Sequence, residues 1–192
     1  AGAPLDDSTI EAYGGPTRTR TLAAWDASEF ARGSVPEVWQ VRDRSDTGCR
    51  MRGKTAELNR VIPGSLVAMR ANETVPWTLG VVCRVRRLMV DYVEIGVEYM
   101  GRKPRFVKVV TGHGPARGAK AKCVGALYLP PSEEHPAMPI RTLLLPAREY
   151  RSTGDATLLS SNATYELRLN EPIRRQMEFV WTPFTVTRKI GR

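Results

Sequence analysis

At 192 residues the chain is long enough to bury a real core, as one large domain or two small ones. Its 42% hydrophobic and 26% charged residues are ordinary for a globular protein, and no apolar run approaches the ~18 to 20 residues of a membrane-spanning helix. Lys and Arg outnumber Asp and Glu by 29 to 20, a formal charge of +9 that favours anionic partners such as nucleotides, nucleic acid or acidic protein surfaces; a merely solubilising surface is the alternative.

Cys49, Cys83 and Cys123 are odd in number and widely spaced, with no CxxC and no nearby His, so neither a disulfide framework nor a zinc site is indicated. A reducing cytoplasm fits this usage. The triplet Asn162-Ala163-Thr164 matches a glycosylation sequon that nothing else in the chain supports. No signal-peptide pattern is visible, and the first residue is Ala rather than Met, which is consistent with a piece of a longer protein or a trimmed chain.

In chain order, residues 1–20 are rich in Gly, Pro and Thr without apolar periodicity and read as an arm or linker ending in Arg18 and Arg20. Residues 21–33 fit a short helix, with Leu22, Trp25 and Phe30 on one side, or an irregular edge strand. From Val35 onward, short β-prone runs separated by turn residues predict strands at 38–42, 48–53, 65–70, 78–90 and 92–99. In the fourth run Val81, Cys83 and Val85 are expected on the core face, with Val82, Arg84 and Arg86 on the other. Gly96 is expected to leave room for a neighbour or a bulge.

Residues 111–122, TGHGPARGAKAK, carry no core-forming residue and read as an interdomain linker. Beyond them, further β-prone runs predict a second small antiparallel β unit over 123–192, with a hairpin turn at Ser160-Ser161-Asn162 and a helical turn over 171–177 started by Pro172. The domain reading is therefore an arm at 1–20, a barrel at 21–110, a linker at 111–122 and a second β domain at 123–192. No internal repeat can be aligned. Trp39, Trp77 and Trp181 are expected to pack as core residues.

Machinery for catalysis is thin. His113 and His135 sit in loops beside Gly or Pro without a spaced metal partner or a Ser or Cys nucleophile, and neither GxxxxGK[ST] nor GxGxxG occurs. Glu133 and Glu134 lie beside prolines, where a solvated pair is the stronger reading than a general acid and base. These features predict a non-enzyme without a metal or cofactor.

The stretch DRSDTG, residues 43–48, holds ligand-ready groups: a carboxylate able to accept two hydrogen bonds from a guanine edge, and a hydroxyl beside a tight Gly turn. A purely structural turn is the competing reading, with Asp43 and Ser45 capping backbone N–H groups and Gly48 supplying positive φ.

This stretch, followed by SLVAMR, WTLGVVCRVRR and VEIGVEYMG, resembles the PilZ family of small six-stranded β-barrels, whose second signature is [D/N]-x-S-x-x-G. The resemblance covers residues 18–110. It implies an all-β, six-stranded antiparallel barrel that binds the bacterial second messenger cyclic di-GMP, with Asp43 and Ser45 on a guanine and Gly48 shaping the turn. The family's first signature, RxxxR, precedes the first strand; here Arg18-Thr19-Arg20 offers RxR, and the resemblance assigns Arg18 and Arg20 to phosphate and base contacts. The implied output is a rearrangement of the N-terminal arm or domains that acts on a downstream protein partner. A degenerate PilZ-like interaction module without nucleotide is the second reading. Nucleic-acid binding through Arg84, Arg86 and Arg87 is the third, disfavoured because the aromatics are not interleaved with the basic stripe.

Overall fold

The computed structural model describes residues 9–13, 37–54, 61–72, 74–90, 92–111, 122–132, 140–150, 154–160 and 163–190. The protein is all-β, and its strands belong to two compact units. Among the described residues no helix is long and apolar enough to cross a membrane.

The first unit contains β1 (Thr9–Tyr13), β2 (Glu37–Arg44), β3 (Gly48–Lys54), β4 (Leu66–Arg70), β5 (Thr78–Met89) and β6 (Tyr92–Arg102). They close into an antiparallel barrel in the ring order β1-β2-β3-β6-β5-β4. Period-2 alternation builds it: Cys49 and Met51 of β3 and Val93, Ile95, Val97 and Tyr99 of β6 are buried, while Arg50 is exposed and Glu94, Gly96 and Glu98 are half-buried between them. Trp39 is buried against Gly53, where a Cβ would come within 2.6 Å of the indole ring. Pro63 and Gly64 make the expected turn, with Gly64 at φ 95° and Ser65 N–H bonded to the Ile62 carbonyl.

Two expectations change here. Residues 9–13 are not part of an arm: they are the strand that closes the barrel between β2 and β4, a role set by long-range pairing that local composition does not reveal. Cys83 does not face the core. A β-bulge between Val82 and Arg84 inserts it as an extra residue, so Val82 and Val85 face inward together and Cys83 is exposed. The reading of 21–33 as helix or edge strand lies outside the described residues.

The second unit contains β7 (Arg105–Thr111), β8 (Lys122–Leu129), β9 (Thr142–Pro146), β10 (Gly154–Leu159), β11 (Thr164–Leu169), β12 (Arg174–Arg175) and β13 (Phe179–Ile190). The sheet runs β11-β10-β7-β8-β9-β13-β12, and β11 also pairs with β13. That pairing closes a second six-stranded ring, β7-β8-β9-β13-β11-β10, with every neighbour antiparallel. Numbered over its ring strands alone, with β12 left out, each barrel has the order 1-2-3-6-5-4. The two halves therefore share a topology although no repeat is legible in their sequences, because a ring order constrains the apolar alternation of strands and not their residue identities. Val109, Ala126, Leu143, Leu145 and Leu167 fill the second core.

The domain boundary also moves. β7 pairs along its length with β8, up to Thr111 opposite Lys122, so the stretch expected as an interdomain linker joins two strands of one hairpin; residues 112–121 themselves lie outside the described residues. The chain passes from β6 to β7 through Lys103 and Pro104. The predicted helical turn at 171–177 is instead the short strand β12, held to β13 by Ile173 N–H on the Trp181 carbonyl and Gln176 N–H on the Phe179 carbonyl. The expected hairpin at 160–162 is present as the β10–β11 pair, Leu159 opposite Thr164, while Ser161 and Asn162 lie outside the described residues. Trp39 and Trp181 are buried as expected; Trp77 is half-buried beneath the Arg70 guanidinium, 4.6 Å from its ring centroid.

Candidate functional site

The DRSDTG stretch is the end of the β2–β3 hairpin. A bulge between Val41 and Asp43 shifts the register, so that Asp43 stands opposite Arg50 and Arg44 opposite Cys49. The turn is closed by Ser45 N–H on the Gly48 carbonyl at 2.9 Å and tied to β6 by Tyr99 N–H on the Thr47 carbonyl at 2.9 Å. Its role for glycine differs from the expected one. Gly48 has no positive φ; a Cβ there would run into the backbone carbonyl of Val97, so glycine is needed for the close approach of β3 to β6.

Neither polar side chain caps a backbone N–H. The Ser45 hydroxyl donates to the Gly48 carbonyl over 3.3 Å and lies 3.4 Å from Thr47 Oγ1, both at the long end of the hydrogen-bond range. The Asp43 carboxylate is 68% exposed and sits 3.8 Å from the Arg50 guanidinium, an exposed pair of the kind worth about 0–1 kcal/mol. Both groups are therefore cheap to redirect toward a ligand.

They border an open groove of about 510 Å3 whose lining includes Arg44, Arg50, Cys83, Gly96 and Glu98. Strand register explains how it forms. Asp43 is opposite Arg50, Arg50 opposite Gly96, and Gly96 opposite Arg84, one row across four strands. Gly96 contributes no side chain to that row, which leaves a gap between two arginines. The expectation that Gly96 makes room is met, and the bulge lies at Cys83 on the facing strand. Cys83 Sγ in turn donates to Glu98 Oε2 at 3.4 Å. No disulfide joins Cys49, Cys83 or Cys123.

The floor of the groove is buried and neutral. Cys49 is enclosed by the barrel, its thiol donating to Met69 Sδ at 3.8 Å and accepting from the Tyr99 hydroxyl. Burial is the main cause that pushes the Cys49 thiol above its ordinary 9.0 and the Tyr99 phenol above its ordinary 10.0; nearby Arg44 acts in the opposite sense on both. A thiol held protonated in this way supports packing and not nucleophilic chemistry.

Of the five residues singled out from the sequence, the structure brings together Asp43, Ser45 and Gly48. Arg18 and Arg20 lie outside the described residues, as do His113, His135, Glu133 and Glu134. Tyr13 ends β1 and Glu37 opens β2, and the pairing of Ala12 with Glu37 puts both at the end of the barrel away from the β2–β3 turn. The arginine pair also follows the first barrel strand in the chain instead of preceding it.

Sequence reading missed Arg50 and Glu98 as groove residues. The alternation of β3, with Cys49 and Met51 inward and Arg50 outward two positions past Gly48, was a usable signal for Arg50; Glu98 required the β5–β6 register. Of the basic cluster, Arg86 stands opposite Glu94, so this stripe is interrupted by acid. Among the described residues no group of three His, Cys, Asp or Glu side chains is placed to hold a metal ion. Compared with family models, with curated proteins and with solved structures, the chain matches none.

Proposed function

We propose that the first barrel is a PilZ-like receptor module for cyclic di-GMP, acting as a non-enzymatic signalling domain in the bacterial cytoplasm. The observation that carries the reading is the DRSDTG turn on a closed six-stranded barrel, with Asp43 and Ser45 at the edge of an open groove. Asp43 would accept two hydrogen bonds from the N1 and N2 edge of a guanine, and Ser45 would serve base or phosphate. Arg18 and Arg20 are assigned phosphate and base contacts by the resemblance, and Arg50 and Arg84 on either side of Gly96 add positive charge beside the turn. The ligand would bias the arrangement of the N-terminal segment or the domains by as much as it prefers one arrangement, and a downstream protein would sense the change. Calorimetric titration with cyclic di-GMP, repeated on Arg20→Ala and Asp43→Ala, tests this. Saturable heat that both variants diminish supports the proposal; no heat from the unaltered protein sinks it.

A second reading is favoured by the order of the chain, in which Arg18 and Arg20 follow the first barrel strand instead of preceding it. On this reading the barrel is a degenerate PilZ-like interaction module that no longer takes the nucleotide. It requires that a protein partner be recovered equally with and without cyclic di-GMP.

A further inference from the structure

The end of the second barrel where β8 leads toward β9 is the counterpart of the end that carries the DRSDTG turn in the first barrel. A cavity of about 830 Å3 lies there, lined by residues of or beside all six ring strands and within the size range of small-molecule sites. Its walls are aromatic. Tyr128, Tyr165 and Phe184 pack against the barrel core, and Tyr128 meets Phe184 edge-on with centroids 6.1 Å apart.

Four basic residues line it, and three of them, Arg105, Arg141 and Lys189, have the parity of the inner face, while Lys108 alternates outward between Val107 and Val109. Arg105 is directly opposite Tyr128, and Lys189 directly opposite Tyr165, so each basic side chain lies on the same side of the sheet as an inward-facing aromatic. Arg141 precedes the fully buried Leu143 by two residues, which gives it the same parity. Among the described residues none of these three has a carboxylate partner, and none of the residues lining the cavity is acidic. Arg105, Arg141 and Lys189 are exposed at this end beside a half-buried aromatic wall, a combination suited to an anion with a flat apolar body.

Depth limits the shape of the guest. Val109, Leu143 and Leu145 are each 0% exposed and fill the interior, which leaves no tunnel for a long acyl chain. We propose that this end of the second barrel is a binding site for a flat aromatic anion, a planar body stacked among Tyr128, Tyr165 and Phe184 with its sulfonate, carboxylate or phosphate facing Arg105, Arg141 and Lys189.

The site is independent of the cyclic di-GMP reading, and its test uses a different probe on the full chain. Anilinonaphthalene sulfonate is titrated by fluorescence into the unaltered protein, into Arg141→Ala/Lys189→Ala and into Arg168→Ala, whose side chain is exposed on a strand of the same unit outside the cavity lining. Circular dichroism checks that each variant is folded, since a loosened core also binds this dye. The expected result is one saturable site, weakened about tenfold or more in the double variant and by added salt, and unchanged in Arg168→Ala. Decanoate is expected to displace the dye poorly and naphthalene sulfonate well. No saturable binding, equal binding to the double variant, or equal displacement by neutral naphthalene would overturn the proposal.

Discussion

The carbonyl oxygen of Val97 occupies the space that a side chain on Gly48 would need. Because the obstacle is backbone, no rotamer change relieves it, and Gly48→Ala must push β3 away from β6. The expected cost is about 1–3 kcal/mol, read as a lower urea midpoint. Gly96 provides the contrast: a Cβ there meets Arg84 Cβ at 3.6 Å, an ordinary contact. Gly96→Ala is expected to cost under about 1 kcal/mol while filling part of the groove. A large stability loss for Gly96→Ala together with none for Gly48→Ala would contradict this account.

Asp43 and Ser45 are expected to matter for binding and hardly at all for folding. Asp43→Ala removes only a long, exposed pair with Arg50, so stability should stay within about 1 kcal/mol. Loss of a carboxylate accepting hydrogen bonds from guanine should weaken cyclic di-GMP by at least about tenfold, since each charge-assisted bond contributes about 1.5–3 kcal/mol. Thermal melts with and without ligand separate the two effects: the melting temperature of the ligand-free protein should not move, and the ligand-induced rise should disappear.

Gly53 and Trp39 form a packed pair that a double-mutant cycle can measure. Gly53→Ala drives a methyl group into the indole ring and is expected to destabilise the first barrel by about 1–3 kcal/mol. In a Trp39→Leu background, where the ring is gone, the same change should cost much less. Equal costs in the two backgrounds would show that the ring is not what excludes the side chain.

Alkaline pH should destabilise the first barrel. Cys49 and Tyr99 both have raised values in the folded state, so their contribution is complete below the values of the unfolded chain and falls as pH rises above 9.0 for the thiol and 10.0 for the phenol. The cause is that the unfolded chain releases these protons while the buried groups retain them. Urea midpoints should decline across this window, with the first part of the decline reduced in Cys49→Ala. A midpoint that rises with pH there would have the wrong sign.

Legibility in the sequence followed the range of the forces involved. The strands β2 to β6 were readable because one face of each is apolar, and the turn at residues 43–48 because its residue types suit both a hairpin and a ligand. β1 was hidden: the alternation of Thr9, Ile10, Glu11 and Ala12 is too short to stand out in a Gly- and Pro-rich stretch, and the segment becomes a strand by pairing with β2 and β4. Cys83 was misassigned because a bulge breaks the alternation that the reading relied on. The closure of the second barrel rests on the β11–β13 pairing, and the row from Asp43 to Arg84 rests on three registers, all of them long-range relations that residue order does not expose.

The most direct measurement of the central claim is amide chemical-shift mapping of the isotope-labelled full chain during titration with cyclic di-GMP. The account expects saturable shifts centred on Ser45, Thr47, Gly48 and Gly96, absent in Asp43→Ala. Shifts confined to other parts of the chain, or none at ligand concentrations well above the micromolar range, would contradict it.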